Sequence, residues 1–192
     1  MEFHDDFSVD IDPRWQQTEQ GNGTLVRRAG MLHLNLNPTD DSTYSNAQLT
    51  EYDPEQRDFK FHAPLRMTVT AFSSLHPVEI KGTAGFGFWN HPFEPGRKGF
   101  RLPQALWFFF ASPPNDMQLA KGVPGNGWKA ATINATGLFF KVMMPLAPLA
   151  VLMMRVKALY RALWSIGQNA MGVSECLLDN ELLTAQHTYT LE

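Results

Sequence analysis

Apolar and polar residues alternate one by one through "PLRMTVTA", with Leu65, Met67, Val69 and Ala71 on one side of an extended chain and Arg66, Thr68 and Thr70 on the other. Successive side chains of a strand point to opposite faces, so this run predicts a strand with one buried face and one wet face. The reading extends to "TLVRRAGMLHLNLNPTDD", where Met31, Leu32, Leu34 and Leu36 lead into the breaker Asn37-Pro38. It extends also to "GTAGFGFWNHPF", "QALWFFFAS" and "GWKAATINATGLFFKVMM". Many short strands at near-regular intervals, with no helices between them, predict an all-β chain folded as an antiparallel β-sandwich or jelly roll.

Residues 102–114, "LPQALWFFFASPP", set Trp107, Phe108, Phe109 and Phe110 side by side. On a strand Trp107 and Phe109 cannot point the same way as Phe108 and Phe110. One pair therefore faces the core, and the other lies on the outer surface of the sheet, which suits the flat face of a sugar or an apolar ligand. Trp89 and Trp128 fall close by in sequence, and Asn90 and His91 open a loop, "WNHPFEPGRKG", rich enough in Pro and Gly to form a binding rim. The candidate ligand-binding set is thus Trp89, Asn90, His91, Trp107, Phe109 and Trp128.

From Pro145 to about Met171 the period changes. Leu149, Leu152, Val156, Leu159, Leu163 and Ile166 recur at three and four residues, which predicts an inserted helical segment near 145–171. Its other arc is small and apolar, so the helix is expected to be hardly wetted on any side. Residues 117–174 contain no Asp or Glu and six bases, whereas twelve of the nineteen acids lie in residues 1–60. The segment suits a lid over the aromatic sheet, a contact in a homo-oligomer or, through residues 143–166, an anionic membrane surface. Its apolar run is too short to span a bilayer, which needs about 20 residues.

At 192 residues the chain is expected to form a single domain, 1–192. A net charge of -3 without a basic run gives no case for nucleic acid. The lone Cys176 forms no internal disulfide, and the acidic start "MEFHDDFSVD" lacks the features of a signal peptide, so a cytoplasmic location is expected. The six histidines show no metal-ligand spacing, and Asp10 with Asp12 offers few oxygens to a calcium ion. No metal and no cofactor are expected.

The stretches "DDFSVDIDPRWQQTEQGNGTLVRRAGMLHLNL", "AGFGFWN" and "QHTYTLE" together resemble the concanavalin A-like lectin/glucanase superfamily, in particular its glycoside hydrolase family 16-like branch. An N-terminal "DDF" strand, a "G-x-L-x-L" strand and a late "H-x-Y-x-x-E" strand recur there in this order. The resemblance implies a concanavalin A-like jelly roll and a carbohydrate ligand. It departs from the family at the catalytic strand, since "ALWFFFAS" carries no carboxylate, and at Glu192, where relatives continue into further strands. A truncated C-terminus, or a sheet completed differently, is the corresponding expectation.

Glycosidic hydrolysis needs two carboxyl groups about 5 to 9.5 Å apart. The one extended acid-x-acid match, "EYDPE" at Glu51, Asp53 and Glu55, contains Pro54 and reads as a solvated turn. The leading expectation is therefore a protein binding a carbohydrate or similar flat ligand without family 16-type catalysis. The alternatives are a glycoside hydrolase with displaced acids, Glu79, Glu94 or Glu51 being the candidates, and a binder of a small apolar ligand or membrane surface through the helical insertion.

Overall fold

The structure, a computed structural model, describes residues 3–37, 42–53, 58–90, 101–115 and 118–192. It consists mainly of antiparallel strands, with its α-helices gathered between residues 138 and 170. The chain parts into two compact units, residues 1–63 and 64–192.

In the first unit β1 (Gln16–Gln20) pairs with β4 (Asn46–Thr50), β2 (Gly23–Arg28) with β3 (Met31–Leu36), and β5 (Tyr52–Asp53) with β6 (Asp58–Phe59), all antiparallel. The β2–β3 hairpin turns through Ala29 and Gly30, whose φ angles of 53° and 69° match the two-residue turn that follows strand twist. Residues 3–15, where the family resemblance implies a strand, form none. Asp5 draws this segment into a turn instead, accepting hydrogen bonds from the Trp15 indole (3.0 Å) and the Asp12 amide (3.2 Å).

The second unit holds β7 (Met67–Ala71), β8 (Thr83–Trp89), β9 (Gln104–Ala111), β10 (Gly127–Asn134), β11 (Ser174–Leu177) and β12 (His187–Leu191). Four of them form one sheet in the order β11-β10-β9-β8, and β12 pairs with β7. The alternation read at 67–71 holds, with Met67, Val69 and Ala71 half-buried and Thr68 and Thr70 exposed. Register divides the four-stranded sheet into two faces. Phe86 stands opposite Phe108, and Phe110 opposite Trp128, so these four rings share one side. That side is the core, where Phe110 and Trp128 are each 2% exposed and pack with Leu183. Tyr189 of β12 closes over it, its ring 5.0 Å from Phe108 and 5.7 Å from Trp128.

The helical segment differs from its expectation in two respects. It starts earlier, at α1 (Leu138–Met143), because Asn134 ends β10: its side-chain oxygen accepts from the Thr136 hydroxyl at 2.7 Å and turns the chain. It is also broken. A 3-10 turn at Met144–Leu146 carrying Pro145 separates α1 from α2 (Ala147–Met153), and an extended Val156 separates α2 from α3 (Lys157–Ala170). The expectation of a helix hardly wetted on any side is overturned. Neither α1 nor α2 buries a residue, and α3 buries only Gln168 and Ala170, at its C-terminal end. Apolar composition defines the character of an arc and not whether another element covers it.

Candidate functional site

Opposite the core, the same four strands present a second face. Trp107 and Phe109 of β9 lie here by parity, joined by Trp89 of β8 and Lys129 of β10. The Trp89 and Trp107 rings are stacked at 5.3 Å, 20° from parallel, and Phe109 meets the edge of Trp107 at 5.8 Å. Glycines make the arrangement fit: Gly87 is directly opposite Trp107 and Gly85 opposite Phe109. A Cβ built on Gly87 would come within 2.5 Å of the Cα and Cβ of Trp107, so the ring's own strand leaves no room for a side chain there.

The face is closed at one end by an ion pair. Lys129 Nζ lies 2.7 Å from Glu175 Oε1, and both side chains are fully removed from solvent. Lys129 also donates to the carbonyl oxygens of Pro124 (2.9 Å) and Gly125 (3.2 Å), and stands 4.9 Å from the Phe109 ring centroid. Glu175 Oε2 accepts from the amides of Leu119 (3.2 Å) and Ala120 (2.9 Å). Together the two charges clamp the loop of residues 118–126. A buried pair is tolerable only when hydrogen bonds support it, and here Lys129 Nζ and Glu175 Oε2 each have two backbone partners. Lys129 is one of the six bases of residues 117–174, and its pairing with Glu175 takes it out of the charge that this region presents to solvent. The signal was present in "GWKAATIN", where a single charge sits between small apolar residues on an otherwise dry strand face.

The expected site residues are distributed unevenly. Trp89, Trp107 and Phe109 come together, half-buried, on the face opposite the core. Trp128 does not join them. Its register with Phe110 places it on the core side, so it is a packing residue and is withdrawn from the ligand-binding set. Asn90 serves the backbone: its amide nitrogen donates to Leu102 O at 2.7 Å and its oxygen accepts from Gln104 N at 3.0 Å, stitching the end of β8 to the start of β9. His91 and Glu94 lie outside the described residues.

Of the other carboxylates, Glu79 is exposed and accepts from the His76 amide at 3.0 Å, closing a turn. Glu51 belongs to the first unit, where it accepts from the Lys60 amide at 2.6 Å. Burial pushes its carboxyl above the usual range, against the lowering effect of the Lys60 and Phe61 amides. Among the described strand residues, Glu175 is the only carboxylate on the aromatic face, and Lys129 occupies it.

One polar atom on this face stands out. The Trp107 indole nitrogen is shut away from solvent and has no hydrogen-bond partner among the described residues. Buried indole N–H groups ordinarily find an acceptor, and leaving one without costs about 1 to 3 kcal/mol.

The fold and site define a class no narrower than an antiparallel β protein with one aromatic-faced sheet and an exposed helical segment. No family model matches the chain, and neither a curated protein nor a solved structure matches it. Among the described residues no three His, Cys, Asp or Glu side chains are grouped to hold a metal ion.

Proposed function

We propose that the chain is a ligand-binding protein whose Trp89–Trp107–Phe109 face takes a flat ring bearing an acceptor oxygen. The half-buried, packed rings of Trp89, Trp107 and Phe109 carry this reading, and a ligand that displaces what shields the Trp107 indole nitrogen would give it the acceptor it lacks among the described residues. Trp89 and Phe109 provide the apolar remainder of the contact.

The same observation favours a largely apolar ligand over a glycan. A sugar presents many hydroxyls, and each needs a partner once buried. Around Trp107 the Asn90 amide is occupied by backbone groups, and Lys129 and Glu175 occupy each other. Binding without hydrolysis is the corresponding reading of the chemistry, because the aromatic face brings no second carboxylate beside Glu175 among its described strand residues. A concanavalin A-like jelly roll remains the proposed architecture. It is supported by the antiparallel pairing of β12 with β7 and by Tyr189 packing across the core face of the larger sheet.

Calorimetric titration with fused-ring ketones and with soluble oligosaccharides tests the proposal. Saturable binding of the ketones that Trp107→Phe abolishes, with the melting temperature held, is the expected result. Oligosaccharide binding lost in the same variant would return the ligand to the carbohydrate class. Silence from both sets, or binding indifferent to Trp107→Phe, contradicts the reading.

A further inference from the structure

We propose that the helical stretch 138–166 is a docking surface for an anionic lipid membrane, lying among the headgroups without crossing the bilayer. The proposal stands on different residues from the aromatic face and does not depend on the ligand assigned there.

Exposure is the first observation. Leu138 is 78% exposed, Val142 and Val151 64% each, and Phe139, Leu149 and Leu152 are exposed as well. A monomeric protein seldom shows so continuous an apolar surface unless something covers it. Among the described residues of the segment's helices, those that are buried lie at its far end, Gln168 and Ala170, and nearby the Trp164 indole donates to Gln118 O at 3.1 Å. Its first three pieces bury no residue, and most of their apolar side chains are exposed.

Charge decides what the cover is. Lys141, Arg155, Lys157 and Arg161 are all exposed, and no acid occurs between residues 117 and 174. In a two-fold dimer the same patch meets itself, so such a contact would set cations against cations with no carboxylate of this segment to answer them. An anionic leaflet answers every one of them and receives the apolar side chains too. Within α3, Lys157 and Arg161 fall on one arc and Leu159 and Ile166 on another, the division of an interfacial helix. Tyr160, whose ring stacks on Trp164 at 6.0 Å, falls between the two arcs, and rings in that position favour the headgroup level. No helix among the described residues is long and apolar enough to cross a membrane, which agrees with a segment that lies on the surface.

Co-sedimentation of the full chain with phosphatidylcholine vesicles, with and without phosphatidylserine, tests the proposal at low and high salt. The expected result is binding to the phosphatidylserine vesicles that weakens in high salt. Lys157→Glu with Arg161→Glu should weaken it by at least about tenfold, and Leu149→Ser with Leu152→Ser should weaken it also. These side chains are exposed, so unchanged melting curves will separate lost docking from lost folding. Absence of binding, or binding indifferent to the charge reversal, overturns the proposal. A dimer seen by light scattering and dissolved by the Leu149→Ser and Leu152→Ser pair, with no vesicle binding, would assign the surface to a second copy instead.

Discussion

Lys129 and Glu175 meet at 2.7 Å from adjoining strands, both without exposure to solvent, and between them hold four backbone groups of the 118–126 loop. Removing one partner strands the other as a buried charge. Lys129→Met or Glu175→Leu alone should therefore lower stability by about 3 to 5 kcal/mol, while the double variant should lose less than the sum. Urea unfolding of the three variants measures this. Equal additive losses would mean the two charges act separately.

The two faces of β9 should answer differently to truncation. Phe110→Ala opens a cavity in the core and is expected to lower stability by about 3 to 5 kcal/mol. Trp107→Phe keeps a ring on a half-buried face and removes an N–H that has no partner among the described residues, so its effect on unfolding should be small. Denaturation midpoints for the pair provide the comparison, and the reverse order would contradict the assignment of faces.

This division shows what the sequence disclosed and what it withheld. Period two within "QALWFFFA" was enough to separate Trp107 and Phe109 from Phe108 and Phe110, because parity along one strand needs no partner. Trp128 was misplaced because its face depends on register between β9 and β10, which no local pattern encodes. The Lys129–Glu175 pair was hidden for a related reason, its members being brought together only by the pairing of β10 with β11. The helical period after Pro145 was legible, but the breaks at Met144–Leu146 and Val156 and the exposure of the pieces were not. Periodicity reports which residues share an arc and is silent on whether anything covers it.

Gly87 should tolerate no side chain. A methyl group there would crowd the Cα and Cβ of Trp107, which belong to a paired strand and cannot swing away. Gly87→Ala is expected to destabilise by about 1 to 3 kcal/mol and to alter the near-ultraviolet dichroism of the stacked tryptophans. An unchanged spectrum and midpoint would show that the strands part easily at this point.

Glu51 gives the first unit a pH dependence of known sign. Its folded carboxyl binds a proton more tightly than the unfolded one, chiefly through burial. The associated stabilisation is complete below the ordinary glutamate range and is lost as pH rises through the raised folded value. Asp12 works oppositely: its hydrogen bonds to Arg14 hold it at about 2, so its contribution is present above the ordinary aspartate range and disappears as pH falls toward that value. Glu51→Gln should accordingly raise the thermal midpoint more at neutral pH than at pH below the glutamate range. An equal change at both would exclude titration of Glu51 as the cause.

The aromatic face can be watched directly through its indole protons. In a proton–nitrogen correlation spectrum, adding a fused-ring ketone should move the Trp107 indole resonance downfield as its N–H gains an acceptor, while the Trp128 resonance in the core stays in place. Tryptophan resonances that all remain still at saturating ligand, or a shift confined to Trp128, would contradict the account.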